Sequence, residues 1–154
     1  MVRTLVACLP AGVAWSDPDP AVTTGRGIEV AERWNGGPAS ILGWSDGGAA
    51  ALALAAEAGE LIDRLVLVAT PAPLDSPAAG ETASLLDLAA VRAKTLLLFG
   101  AADPRTGSRH GRWWQTHLPN ARLEMVPGGG HDLVAEMWGR IAAFVAPRRG
   151  GVIR

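Results

Sequence analysis

Short apolar segments recur along the chain, separated by polar segments and by segments rich in Pro and Gly. Five of them are apolar almost throughout instead of alternating with polar residues, which is typical of strands covered on both faces. They lie at residues 4–9, 39–43, 65–69, 95–99 and 123–126. This pattern predicts a mostly parallel sheet of about five strands.

Segments with helical periodicity lie between and after these strands, at residues 27–34, 47–58, 82–91, 108–117 and 132–145. The last of them places Leu133, Met137, Ile141 and Phe144 on one face. Alternation of strands and helices, joined by short loops, favours right-handed crossovers and a three-layer α/β sandwich. We expect residues 1–146 to form one domain of this type and residues 147–154 to form a C-terminal tail.

Composition excludes several classes of protein. The 154 residues carry 14 basic and 15 acidic side chains, so there is no basic excess to hold a nucleic acid. The N-terminal apolar run is cut by Pro10 and is too short for a secretory signal, and no run approaches the ~20 residues of a membrane span. We therefore expect a cytoplasmic protein. The single Cys8 excludes an intramolecular disulfide and suits a small buried apolar position.

The second predicted strand runs directly into the sequence GWSDG, residues 43–47, followed by an Ala-rich helical segment. Gly-x-Ser-x-Gly between a strand and a helix is the pattern of a nucleophile elbow, in which the glycines let strand and helix approach and the serine lies at the turn. Ser45 is the candidate nucleophile, and the backbone N–H of Asp46 would face a developing oxyanion. The alternative is that Ser45 only caps the helix.

A serine nucleophile requires a histidine base and an acid that orients it, in the chain order Ser, acid, His. Asp103 follows the fourth predicted strand, and His131 follows the fifth in a glycine-rich loop. Loops at the carboxyl ends of parallel strands share one edge of the sheet, so we expect these side chains to meet. Asp75, after an earlier strand, is the second candidate acid. His110 and His117 lie in a polar helical segment and are expected at the surface.

The sequence shows no pattern that requires a cofactor. Cys8 is solitary and the histidines are scattered, so no metal-ligand spacing occurs. The GGG at residues 128–130 lacks the dinucleotide-binding pattern, and no phosphate-binding loop is found. We expect catalysis without a metal or cofactor.

Together these segments resemble the α/β-hydrolase superfamily. The segment SILGWSDGGAAALALAAEAGELIDRLVLVATPAPL most resembles the valacyclovir hydrolase (biphenyl hydrolase-like) branch, and TLLLFGAADP and RLEMVPGGGHDLVAEMWGRIAAFV fit the same family. The resemblance implies that Ser45 is the nucleophile, Asp103 the acid and His131 the base. In that branch the acid after the nucleophile is associated with recognition of an α-amino group, which would give the Asp46 side chain a role in substrate binding. The alternative is that Asp46 only stabilises the first turn of its helix.

The sequence departs from the family in two places. VRTLVACLPAGVAWSDPDP resembles the strand and loop that come after the oxyanion-loop strand, which implies that the usual oxyanion segment and the preceding antiparallel hairpin are absent. One hypothesis restores the missing donor: the first strand pairs beside the elbow strand, and the backbone N–H groups of Leu9 and Ala11 stand in the oxyanion position. The second departure is the short segment 71–93, where relatives often insert a lid, so we expect an open groove and no lid domain.

Tryptophan side chains are candidates for the walls of that groove. Trp44 adjoins the nucleophile and is the stronger candidate for substrate binding; Trp15, Trp113 and Trp114 are the others. Trp113 and Trp114 lie on a predicted helix, where packing into the core is the more common role.

These observations predict a serine hydrolase acting on a carboxylic ester, thioester or amino-acid ester of a small or carrier-tethered acyl group. Two alternatives stay open. One is a shortened binding or assembly protein without activity, pairing through an exposed sheet edge as a homodimer. The other is an enzyme that uses the same triad for acyl transfer or cyclisation.

Overall fold

The computed structural model describes residues 2–74 and 87–147. Within them the strands form a single parallel sheet of six strands, in the order β2-β1-β3-β4-β5-β6. The strands are β1 (Arg3–Cys8), β2 (Ile28–Ala31), β3 (Ala39–Trp44), β4 (Ile62–Val68), β5 (Lys94–Gly100) and β6 (Ala121–Val126). The prediction of a mostly parallel sheet is confirmed, with one strand more than expected.

Helices cover both faces of this sheet. They are α1 (Pro20–Gly25), α2 (Gly48–Ala58), α3 (Gly107–His117) and α4 (Trp138–Val145). Successive strand residues point to opposite faces, so Leu65, Leu67 and Leu97 join one apolar cluster with α2 and α3. Val66, Leu96 and Leu98 join a second cluster with α4 on the opposite face. The predicted three-layer sandwich is therefore confirmed.

The periodicity predicted a helix at residues 27–34, and this prediction is wrong. These residues contain the edge strand β2. Ile28 is 6% exposed, and the strand pairs in parallel with β1 from Ile28 to Ala31. The sequence IEVA alternates apolar and polar residues at its start, a period-2 pattern that in so short a segment competes with the helical one. Residues 32–38 then lead to β3 without a helix.

Two other helical predictions differ from the structure. The C-terminal helix begins at Trp138, because residues 134–137 form turns, although Leu133 and Ile141 are buried as expected. Of the predicted helix 82–91, residues 82–86 lie outside the described residues and Leu88–Ala90 form a single 3₁₀ turn. The helices predicted at 47–58 and 108–117 are confirmed to within one residue.

The position of β1 tests the hypothesis made for the N-terminal segment. β1 lies between β2 and the elbow strand β3, in continuous register with β3 from Leu5 to Cys8. Leu5, Val6 and Ala7 are buried, as expected for a strand with neighbours on both sides. The hypothesis that the first strand pairs beside the elbow strand is therefore confirmed. No helix among residues 2–74 and 87–147 is long and apolar enough to cross a membrane.

Candidate active site

The turn from β3 into α2 has the geometry of a nucleophile elbow. Ser45 has φ of +53°, a left-handed conformation that is strained for a residue with a side chain. It is 2% exposed and begins a short 3₁₀ turn, Ser45–Gly47, that leads into α2. A β-carbon on Gly43 would lie 2.8 Å from the Cα of Gly48, so glycine is required for strand and helix to approach this closely.

His131 joins this serine to an aspartate. The Nε2 atom of His131 lies 2.8 Å from Ser45 Oγ, and its Nδ1 atom lies 2.8 Å from Asp103 Oδ2. A proton on Nδ1 donated to the carboxylate leaves Nε2 free to accept the proton of the serine hydroxyl. The structure thus brings together the three residues that the sequence singled out, each at the carboxyl end of a different strand.

Asp103 is held as a buried carboxylate by several donors. Its side chain is fully buried; Oδ2 accepts a hydrogen bond from Thr106 Oγ1 at 2.5 Å, and Oδ1 accepts one from the backbone N–H of Arg105 at 2.8 Å. Burial raises the pKa of Asp103, but the hydrogen bonds from Thr106, His131 and Arg105 outweigh it and leave the pKa below its ordinary value. The acid is therefore ionised at neutral pH and oriented toward the imidazole.

Backbone contacts fix the acid loop against the histidine loop. Ala101 N–H donates to the carbonyl of Val126, and Ala102 N–H donates to that of Gly129. A β-carbon on Gly100 would collide with the carbonyl oxygens of Gly129 and Gly130, which explains the glycine there. The separation of Asp103 from His131 thus follows from main-chain packing.

Trp44 has a structural role that the sequence did not predict. Its indole N–H donates a 3.0 Å hydrogen bond to the carbonyl of His131, and the two rings lie 5.6 Å apart between centroids. The side chain is partly buried and packs against the cluster on the α4 face. Trp44 therefore fastens the histidine loop to the elbow, while its part in substrate binding stays a prediction.

Sequence reasoning missed Arg105 and Thr106, which follow Asp103 in the acid loop. Arg105 Nη1 donates to Ser45 Oγ at 3.1 Å, and its Nη2 donates to Asp46 Oδ1 at 2.6 Å. The backbone N–H and the side chain of Arg105 therefore both join the site. An arginine after Pro104 carries no local signal of this, because only the fold brings the acid loop to the elbow. The DPRT run does suggest an Asx turn, which is what the Asp103 contacts form.

The loop after β1 lies against the elbow. A β-carbon on Gly47 would lie 2.6 Å from the carbonyl carbon of Cys8 and 2.8 Å from that of Leu9. The loop turns at once, with Val13 N–H donating to Pro10 O at 3.0 Å and Gly12 at φ of +82°. The backbone of Leu9 is thus beside the nucleophile turn, whereas the oxyanion roles of Leu9, Ala11 and Asp46 stay predictions.

The other candidates lie elsewhere. Trp15 is partly buried and packs on Trp138, with ring centroids 5.3 Å apart. Trp114 is 2% exposed and donates to Thr70 O, so it packs in the interior. The prediction that His110 lies at the surface is wrong. His110 is buried, because α3 turns its side chain inward to accept a hydrogen bond from Ala72 N–H. His117 is exposed, as expected, and stacks on the partly buried Trp113. Asp75 lies outside the described residues.

Burial raises the pKa of the Cys8 thiol, which is partly buried and unpaired by disulfide. Among residues 2–74 and 87–147, no group of three or more His, Cys, Asp or Glu side chains is arranged to hold a metal ion.

Comparison with known proteins points to one fold. No protein-family model and no curated protein matches the sequence. Many solved structures are similar, among them MGS-MChE2, an α/β-hydrolase enzyme from the metagenome of Mar Chica lagoon sediments, Morocco, at 16% identity and a TM-score of 0.69, over 92% of this chain and 87% of that one. A protein described as a CIB-like hydrolase from Thermoplasma acidophilum has 19% identity and a TM-score of 0.70, over 95% and 87%. The hydrolase BphD of Rhodococcus sp. strain RHA1 has 14% identity and a TM-score of 0.64, over 91% and 88%.

The chain therefore has the α/β-hydrolase fold, as the sequence resemblance implied. At identities this low the likeness shows the fold alone, and one fold hosts many activities. The resemblance to the valacyclovir hydrolase branch stays a prediction.

Proposed function

We propose that this protein is a serine hydrolase that cleaves a carboxylic ester, thioester or amino-acid ester through an acyl-enzyme. The observation that carries the proposal is the unbroken hydrogen-bonded series from Ser45 Oγ through His131 to Asp103 Oδ2, with both links at 2.8 Å. The positive φ of Ser45 supports it, because such strain is found where a nucleophile is held at a turn. A helix cap alone would need neither the histidine nor the buried aspartate.

In this mechanism Ser45 Oγ attacks the acyl carbonyl while His131 Nε2 takes its proton. The tetrahedral intermediate collapses as the imidazolium returns that proton to the leaving alcohol or thiol, and the acyl group stays on Ser45. Water then attacks the acyl-enzyme with His131 as base, which releases the acid and restores the serine. Asp103 stays ionised throughout and stabilises the imidazolium.

The developing oxyanion needs donors on the opposite side of the carbonyl. The N–H of Asp46 is a natural first donor, since N–H groups in the first turn of a helix have no partner within it. We assign the second to the loop after β1, from Leu9 or Ala11, because that loop packs on Gly47 beside the nucleophile. This loop would do the work of the oxyanion segment expected to be missing.

The acyl substrate is proposed as a small molecule or a carrier-tethered group. Recognition of an α-ammonium group by Asp46 would compete with the ion pair that Asp46 already makes with Arg105 at 2.6 Å. Both partners are about half exposed, with side-chain accessibilities of 60% and 49%, so this pair is open to exchange with a charged substrate. Comparing glycine and acetate esters of one alcohol tests the ammonium prediction directly.

The test of the function is labelling by a fluorophosphonate, followed by intact mass. We expect one adduct per chain in the wild type and none in Ser45→Ala or His131→Ala, while Ser16→Ala, a serine in the loop after β1, labels as the wild type does. A folded wild type that takes no label would contradict the proposal and favour a binding protein. Product analysis with an added alcohol separates hydrolysis from acyl transfer.

A further inference from the structure

The guanidinium of Arg105 contacts the oxygen that would attack the substrate. Its Nη1 donates to Ser45 Oγ at 3.1 Å, while His131 Nε2 lies 2.8 Å from the same oxygen. With Nδ1 of His131 protonated toward Asp103, the serine hydroxyl donates to Nε2, so Oγ is at once a donor to the imidazole and an acceptor from the arginine. A cation is therefore in place before the proton moves.

We propose that Arg105 is a catalytic residue that stabilises the negative charge developing at Ser45 Oγ as His131 removes its proton. This inference rests on the proposed hydrolase function. A charged donor aimed at an oxygen where charge develops lowers the barrier, because its hydrogen bond strengthens in the transition state. The arginine is permanently charged, so the effect is present over the whole working pH range.

Arg105 is joined to the site by its main chain as well as by its side chain. Its backbone N–H donates to Asp103 Oδ1 at 2.8 Å, so the acid that orients His131 also anchors the arginine. Its side chain is held at the other end by Asp46 Oδ1 at 2.6 Å. One contact therefore holds the main chain of Arg105 and the other holds its guanidinium, which places the guanidinium beside the nucleophile.

Asp46 resolves an electrostatic conflict in this arrangement. Arginine and imidazole bind the same oxygen, so they lie within about 6 Å, and an unbalanced cation there would oppose formation of the imidazolium. The Asp46 carboxylate offsets that charge on the exposed side. Around His131 the charged groups are therefore Asp103 on its other ring nitrogen, Asp132 next in the chain, and the Arg105–Asp46 pair.

The experiment compares wild type with Arg105→Gln, Arg105→Lys and Asp46→Asn, with Arg112→Gln as a control that removes an exposed arginine from α3. Two readouts are used: the rate constant for labelling by a fluorophosphonate, and kcat and KM for 4-nitrophenyl acetate from pH 5 to 9. Thermal unfolding by circular dichroism verifies that each variant is folded.

We expect Arg105→Gln to lower the labelling rate and kcat by about 10- to 100-fold with little change in KM, less than for a fully buried donor because the side chain is half exposed. Arg105→Lys recovers part of the loss, since lysine keeps the charge but lacks the two guanidinium nitrogens that bind Ser45 and Asp46 together. The acid limb of kcat/KM moves up by about 0.5 pH unit in Arg105→Gln, the effect of a unit charge at ~6 Å in a water-like dielectric, and down in Asp46→Asn. Arg112→Gln behaves as the wild type.

Several results overturn the inference. A faster Arg105→Gln would mean that the arginine obstructs the groove, and a change in KM alone would mean that it only binds substrate. Unchanged rates and an unmoved acid limb would mean that it has no part in the reaction, although the function itself would stand if Ser45 still labels. A wild type that neither labels nor turns over ester would instead refute the hydrolase function, and with it this role. If Arg105→Gln does not fold, the labelling rate of Arg105→Lys and the acid limb of kcat/KM in Asp46→Asn test the inference instead.

Discussion

Replacement of Gly47 by alanine tests how tightly the elbow is packed on the first strand. Gly47 has φ of −67° and ψ of −16°, values that alanine adopts without strain, so the substitution changes space and not backbone preference. Its new β-carbon would overlap the carbonyl oxygen of Cys8 and lie 2.6 Å and 2.8 Å from the carbonyl carbons of Cys8 and Leu9. These are backbone atoms in and beside a central strand, which yield far less easily than a flexible side chain.

The size of the effect follows from that packing. Inserting a methyl group into a well-packed site costs about 1–3 kcal/mol, and we expect the upper half of this range because the colliding atoms are main chain. For a chain of 154 residues each kcal/mol moves Tm by about 2–4 °C, so Tm should fall by about 4–12 °C. The fluorophosphonate labelling rate should fall as well, since relief of the overlap shifts the helix start that positions Ser45.

Gly139→Ala is the matched control. A β-carbon there meets nothing within 4 Å, and Gly139 is exposed within α4, so alanine should raise stability by about 0.4–1 kcal/mol through helix propensity and the unfolded chain. Both variants are followed by circular dichroism during heating at one scan rate. A Gly47→Ala protein that melts with the wild type would refute the close approach of β1 to the elbow, and with it the placement of the oxyanion loop.

Three further predictions concern single groups. Asp103→Asn should keep the fold but lower kcat by about 10⁴-fold, because the amide favours the wrong imidazole tautomer; near-normal ester turnover would contradict the triad. Thr70→Val should leave Tm unchanged or higher, because Thr70 Oγ1 is buried with no hydrogen-bond partner among the described residues, and a clear fall in Tm would contradict this. The fold lowers the pKa values of Asp103 and of Glu124, which Arg140 binds through two hydrogen bonds. The stability that these two carboxylates add to the fold is therefore complete above their unfolded pKa values and is lost as pH falls below about 4. Denaturant unfolding between pH 6 and pH 3 should show this loss, and Glu124→Gln should make it smaller.

The fold was largely readable from the sequence because its strands are buried on both faces. Segments such as LVLV in β4 and LLLF in β5 are apolar throughout, and a parallel sheet is the arrangement that buries them. Edge strand β2 was missed because it has four residues and faces a neighbour on one side only, which leaves a weak pattern. The order of strands depends on long-range pairing, and no local pattern reveals that β1 lies beside β3.

The candidate site was predictable as far as its residues follow strand ends. Ser45 directly follows β3, Asp103 and His131 lie in the loops that follow β5 and β6, and the sheet brings such strand ends to one edge. His110 was wrongly predicted at the surface because its neighbours in the sequence of α3 are polar, although the helix turns it inward to Ala72 N–H. Its burial depends on the angle at which α3 packs, and sequence periodicity does not give that angle.

The contacts of Arg105 could not be predicted from the sequence for a different reason, which also bears on how the site would work. A guanidinium tip lies several bonds from its backbone, so the partner it binds depends on where the fold places two separate loops, here those after β3 and β5. Strand β4 lies between those two strands, yet the arginine spans from the loop of one to the elbow of the other. Because Arg105 contacts both Ser45 Oγ and Asp46, an acyl substrate bound at Ser45 would lie close to this charged pair. The charge on the substrate should therefore influence its rate, and a neutral ester measures the reaction without a charge interaction between the substrate and this pair.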